Sequence, residues 1–249
     1  MFKKSLLALS LIFGMTAGAN ASSLNDVLKG TLKLYSGDEG NCSATLVADD
    51  LLLTAGHCVN GSNLNVRIQV KNEKFDVLRE EIIYVKVLRK LTDLDLAILA
   101  PLDDANSFKT LLGSNVSVVD VAIPEMAGSE LHTGVDVWAV GYPKAMELAV
   151  TSGLFTGAVK SPADFEASPV YQFTAPITGG NSGGGFYIRV DGEFYLVGVT
   201  VAGFRDVSFM NYATNNDNVW KVLKGFVEAQ YKSMIEEAPS SPSMKTDDK

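Results

Sequence analysis

From Thr31 onward the chain breaks into short apolar runs separated by turn residues. TLKLYS, ATLVADDLLLTA, NVRIQV, EIIYVKVL, DLAILAPL, SVVDVAIP, VDVWAVGYP, PVYQFTA, GFYIRV and EFYLVGVTV are rich in Val, Ile, Leu and aromatics, which suit a pleated, half-buried surface. No helical period lies between them, so the pattern predicts an all-β barrel or sandwich. The one helical pattern comes late. In NDNVWKVLKGFVEAQYKSMIEEA, Val219, Val222, Leu223, Phe226 and Val227 recur at helical spacing behind an Asn or Asp cap, which predicts a C-terminal helix over about 217–236. The remaining tail, 237–249, has nothing to bury and reads as disordered. PEMAGSELHTG, Pro124 to Gly134, is the best candidate for a link between the two halves of the chain.

Composition adds size and compartment. The 249 residues, 47% of them hydrophobic and 20% charged, can bury one or two cores. The start, MFKKSLLALSLIFGMTAGANASS, has two lysines, an apolar run and small residues at Ala19 and Ala21. It reads as a secretory signal, residues 1–21, cleaved after Ala21, and its apolar run is short for a bilayer span. The expected location is therefore periplasmic or secreted, with no membrane attachment after cleavage. Losing Lys3 and Lys4 takes the formal charge from -8 to -10, which argues against nucleic-acid binding. In an oxidising compartment the two cysteines, Cys42 and Cys58, are expected to pair. Closing a loop of about 15 residues stabilises by roughly 3 kcal/mol in the loop-entropy model. The alternative, a zinc site adding His57 and His132, lacks the usual paired-ligand spacing. No metal or cofactor is expected.

The chemistry concentrates around Ser182, in PITGGNSGGGFY, where five glycines surround one serine. Glycine is costly in regular structure, so the cluster calls for positive φ or a close approach. GNSGG formally fits the nucleophile elbow of α/β-hydrolases, but that order needs a histidine after the serine. Both histidines, His57 and His132, precede Ser182. An Asp-His-Ser order through Asp38, Asp49 or Asp50 is formally open, although the strand-dominated pattern argues against it. The order His, Asp, Ser remains. Near neutral pH an imidazole can take the serine proton during attack, and a buried carboxylate can hold the imidazole tautomer.

Three strings carry that order: LLLTAGHC around His57, TDLDLAIL around Asp95 and GGNSGG around Ser182. Together they resemble the signatures of the trypsin-like serine proteases, and the resemblance runs from about Gly30 to Ala229. It implies two six-stranded antiparallel β-barrels, over about 30–123 and 135–213, within a protease domain of 22–236 that ends in the helix. It also implies a disulfide from Cys42 to the cysteine after His57, a catalytic set of His57, Asp95 and Ser182, and an oxyanion site from the backbone N–H groups of Gly180 and Ser182. Asp95 rather than Asp93 is the expected acid because it directly precedes LAIL; His132 is expected at the surface.

Two departures point to particular branches. Asn181 stands where the animal digestive enzymes carry Asp, and SSLNDV contains no Ile-Val-Gly-Gly start. TGGNSG is closer to the bacterial glutamyl endopeptidases and stress proteases, and Gly185 replaces the proline that commonly follows Ser-Gly-Gly. By correspondence the substrate pocket has its base at Pro176 and Ile177 and its walls at Thr200, Val201 and Gly203. None is acidic, so the expected preference is for a small or apolar residue before the scissile bond. The expected activity is that of a secreted, monomeric endopeptidase acting on proteins or peptides. The rival expectation is a secreted binding or adhesion protein that kept the barrels without the chemistry.

Overall fold

The computed structural model describes residues 22–37, 40–71, 77–160, 169–204 and 207–236; the expected signal segment and disordered tail lie outside them. Six antiparallel strands, β1 (Thr31–Ser36), β2 (Asn41–Ala48), β3 (Leu51–Ala55), β4 (Leu64–Lys71), β5 (Val77–Leu91) and β6 (Leu96–Pro101), close a first barrel in the order β1-β2-β3-β6-β5-β4. A second barrel is closed by β7 (Asp136–Gly141), β8 (Ala149–Lys160), β9 (Pro169–Phe173), β10 (Gly185–Val190), β11 (Glu193–Phe204) and β12 (Val207–Thr214), in the order β10-β11-β12-β9-β8-β7.

Side-chain alternation explains how the barrels meet. β3 and β6 read as unbroken apolar runs because both of their faces are buried. Leu52, Ala97 and Leu99 fill the first barrel. Their neighbours Leu51, Leu53, Leu96 and Ile98 belong to a different core, shared with Val140, Tyr187, Leu196 and Val199 of the second barrel. The C-terminal helix, Asn216–Glu236, adds Val219, Val222 and Leu223 to that same core. Asn215 caps the helix by accepting from Asn218 N at 2.9 Å. The second barrel has its own interior of Val137, Phe155, Phe173, Phe186, Ile188 and Val197. Among the described residues, no helix is long and apolar enough to cross a membrane.

Several local expectations change. ATLVADDLLLTA is two strands, broken at the Asp49–Asp50 turn. SVVDVAIP is not a barrel strand. It runs between the barrels, with Val119 N donating to Leu46 O and Ala122 N to Leu196 O, so Val119 and Ala122 are buried without belonging to a barrel strand, while Val118 is exposed. The helix Pro124–Glu130 occupies most of the expected link, and Leu24–Gly30 forms a further short helix behind a Ser23–Asp26 capping box.

If the inter-barrel core holds the two halves together, Leu53→Ala should lower unfolding stability by about 2–5 kcal/mol, because Leu53 is fully buried. Urea denaturation would measure this; a loss below about 1 kcal/mol would contradict the packing described.

Candidate active site

The end of β3 and the start of β6 are paired, Ala55 with Leu96, and this brings His57 and Asp95 together. His57 lies in a 3-10 turn, Gly56–Val59, immediately after β3. Gly56 N donates to Asp95 O at 2.9 Å. Asp95 is left-handed, φ 49° and ψ 44°, a region that Asp tolerates better than most residues. Its buried carboxylate accepts from His57 N at 2.7 Å and from His57 Nδ1 at 2.8 Å. A carboxylate oxygen can only accept, so Nδ1 carries a proton, and in the neutral imidazole the lone pair is on Nε2. The imidazole is 41% exposed. Asp93 is exposed and has no hydrogen bond to His57, and His132 is exposed in a turn. Cys42 of β2 is disulfide-bonded to Cys58, with Cα atoms 6.1 Å apart. Both sulfurs are engaged in that bond, beside His57.

The loop around Ser182 is organised by what its carbonyls do. Gly179 O accepts from Lys144 N at 2.6 Å, and Gly180 O from Ser43 Oγ at 2.8 Å. Asn181 O accepts from Thr200 Oγ1 at 2.5 Å and Gly184 N at 2.8 Å, and Ser182 O from Ser43 N at 2.7 Å. Gly183 O accepts from Thr45 Oγ1 at 3.4 Å and Gly184 O from Thr200 N at 2.9 Å. With every carbonyl from Gly179 to Gly184 held, the N–H groups of Gly180 and Ser182 have no partner among the described residues. These two unpaired backbone donors flank Asn181.

This curl needs glycine at two positions above all. Gly180 has φ +99°, and a Cβ there would meet Tyr142 O and lie 2.7 Å from Lys144 N. Gly183 has φ +86°, and a Cβ there would overlap Ser43 O and the Thr54 hydroxyl. Gly179 is different: it is exposed, with nothing within 4 Å of an added Cβ, so the curl itself does not require it. Gly185 leaves room for the buried Tyr187 ring, which is a packing reason for the missing proline.

The nucleophile candidate is half-buried, and its Oγ donates to Val201 O at 3.4 Å, a long bond, rather than to His57. Of the expected pocket residues, Ile177 and Gly203 adjoin, a Cβ on Gly203 falling 3.6 Å from Ile177 Cγ1; Pro176 is exposed. Thr200 does not line the pocket. It is fully buried, and its hydroxyl is committed to Asn181 O and Gly184 O beneath the loop. Val201 is also buried and contributes its carbonyl to Ser182. The sequence reading missed Asn211, which is buried beside Gly203 and donates through Nδ2 to Ala175 O at 2.8 Å. Also missed was the turn after β7, where Lys144 and Ala145 are consecutive left-handed residues at φ 49° and 55°. Non-glycine residues in that region cost about 1–3 kcal/mol each and persist only where their surroundings hold them.

Within that turn, burial and, secondarily, the Glu147 charge push the Tyr142 hydroxyl up to about 12. An unfolded tyrosine ionises near 10. Between these two values the unfolded chain releases a proton that the fold retains, so stability falls as pH rises, by up to about 1 kcal/mol per unit. Tyrosinate absorbance of wild type against Tyr142→Phe should place this group near 12; ionisation near 10 would contradict the burial described.

The model of the trypsin-like peptidase domain matches residues 42–199, which include His57, Asp95 and Ser182. Among curated proteins, none matches the chain in sequence. Solved structures that share the fold include the HtrA-type protease AlgW with tripeptide, 21% identical at a TM-score of 0.62, covering 82% of this chain and 63% of that one. The serine endoprotease from Yersinia pestis is 20% identical at 0.60, covering 85% and 68%. The active form of the Rv3671c protease from M. tuberculosis is 18% identical at 0.59, covering 88% and 85%. The chain thus spans less than two thirds of the AlgW structure. With two six-stranded barrels, a His–Asp pair beside a glycine-curled serine, and a family match over more than half its length, the chain belongs to the trypsin-like peptidases, serine proteases of the chymotrypsin fold.

Proposed function

We propose that this protein is an exported serine endopeptidase in which Ser182, His57 and Asp95 act together on protein or peptide substrates. The observation that carries the reading is the pair of open N–H groups at Gly180 and Ser182, in a loop whose carbonyls are all engaged. Ser182 Oγ turns from Val201 O and attacks the scissile carbonyl carbon while its proton passes to His57 Nε2. The carbonyl π pair moves onto oxygen, and the Gly180 and Ser182 donors stabilise the resulting oxyanion. One such donor is worth about 10²–10³ in turnover. The C–N bond then breaks as His57 protonates the leaving amine, which leaves an ester on Ser182. A water that gives its proton to His57 attacks that ester. Collapse of the second tetrahedral species returns the proton to Ser182 Oγ and frees the acid. Asp95 stabilises the imidazolium in both halves without taking the proton.

Ile177 and Gly203 flank the expected pocket and neither is charged, which supports a small or apolar residue before the scissile bond. Export suits the Cys42–Cys58 disulfide. The net acidity disfavours nucleic acid, and we assign a monomer. A second reading rests on the Ser182–Val201 bond: if that hydroxyl never turns, the protein is a binding module on a protease scaffold.

A fluorophosphonate probe separates the two, because it modifies only an activated serine. Wild type should be labelled and Ser182→Ala should not, with the fold retained. Asp95→Asn should lower turnover by about 10⁴-fold, because the imidazole loses its tautomer-fixing acceptor, while Asp93→Asn stays near wild type. An unlabelled wild type, or the larger loss at Asp93, would sink the assignment.

A further inference from the structure

The pieces that hold the oxyanion loop come from the other barrel as well as its own, and two of them form one cross-strand pair. Lys33 on β1 lies directly opposite Ser43 on β2, so their side chains share a face of the first barrel. Both reach the Tyr142–Ala145 turn of the second. Lys33 Nζ donates to Ala145 O at 2.7 Å and sits 5.3 Å from the centre of the Tyr142 ring. Ser43 is fully buried and uses its hydroxyl twice, accepting from Tyr142 N at 2.8 Å and donating to Gly180 O at 2.8 Å.

We propose that Ser43, assisted by Lys33, is a positioning residue for the oxyanion site; this deepens the peptidase reading and rests on it. Gly180 is joined to its neighbours by two peptides, and Ser43 governs both. It holds the Gly180–Asn181 peptide directly through Gly180 O. It holds the Gly179–Gly180 peptide through the turn, because Tyr142 N is fixed by Ser43 and Lys144 N, two residues on, fixes Gly179 O. A trans peptide sets its N–H opposite its C=O. Tying Gly179 O to Lys144 therefore aims Gly180 N–H the other way, where it has no partner among the described residues. The consecutive left-handed residues Lys144 and Ala145 would not hold this shape unaided. Lys33 secures the far end of the turn at Ala145 O and Ser43 the near end at Tyr142 N. Catalytic geometry of this kind depends on donors fixed in advance, and here they are fixed across the domain interface. Neither residue touches substrate.

The test compares Ser43→Ala, Lys33→Met and Lys33→Arg with wild type, using the best peptide from a wild-type cleavage profile and the matching peptide aldehyde, which forms a tetrahedral adduct. Loss of a positioning group should lower kcat with little effect on ground-state binding. Ser43→Ala should lose about 10- to 100-fold in kcat, below the loss of a donor itself. Its KM should stay within about threefold, and aldehyde affinity should fall by the same factor as kcat. Lys33→Met should lose about 3- to 10-fold in the same pattern, and Lys33→Arg, which can still donate to Ala145, should stay near wild type. An active wild type with an unchanged kcat in Ser43→Ala, or a loss confined to KM, overturns the positioning role alone. If Ser43→Ala does not fold, Lys33→Met decides, and a kcat within about twofold of wild type overturns the role. A wild type inert to both peptide and fluorophosphonate overturns the peptidase reading instead, and this inference with it.

Discussion

A buried loop that keeps two backbone donors open must satisfy nearly everything else in it, since an unmatched buried polar group costs about 1–3 kcal/mol. Gly180, Asn181, Gly183 and Gly184 are all buried, yet Gly180 N and Ser182 N have no partner among the described residues. The other polar groups are answered from both sides: Ser43 and Thr45 reach in from β2, Thr200 from β11, and Lys144 from the turn after β7. None of these would stay in register if the barrels slid. The apolar layer of Leu51, Leu53, Val140, Leu196 and Val199, closed over by the C-terminal helix, keeps them in register. Packing energy at the interface is thus converted into fixed dipoles at the site.

The same constraint bears on activation. Asn181 carries no charge, so it cannot form the ion pair with a chain terminus that orders this loop in digestive enzymes. Ser22 is engaged elsewhere: its carbonyl accepts from Phe194 N at 2.8 Å, and its hydroxyl accepts from Asp120 N at 2.9 Å. The helix that follows buries Val27 in the inter-barrel core. Among the described residues the loop is held by hydrogen bonds and buried side chains, with no ion pair to a chain terminus.

What the sequence revealed and what it hid divide along contact distance. His57, Asp95 and Ser182 stood out because each sits in a short string whose local geometry, a 3-10 turn, a left-handed aspartate and a glycine curl, is written in adjacent residues. Ser43 and Thr200 gave no such signal. Ser43 meets Gly180 across 137 residues, and nothing near it in the chain distinguishes it from an ordinary strand serine. Thr200 was expected at the pocket wall, but strand alternation could not say that its side faces the loop. β8 and β12 escaped notice as well. AVTSGLFTGAVK has its apolar residues interrupted by Thr, Ser and Gly, and at Gly153 the backbone of Ala175 comes too close for a side chain. SVVDVAIP misled in the opposite direction, since burial between two barrels leaves the same apolar signature as burial within one.

The central claim is that the oxyanion loop is ordered by the fold itself. It is tested most directly by making Ser22–Lys249 with and without a short N-terminal tag, and by measuring fluorophosphonate labelling and initial hydrolysis rates immediately after purification. The account predicts labelling of both forms without a lag and rates that agree within a fewfold. A tagged form that stays inert until a second protease trims it would show that a freed terminus completes the site, and would contradict the account.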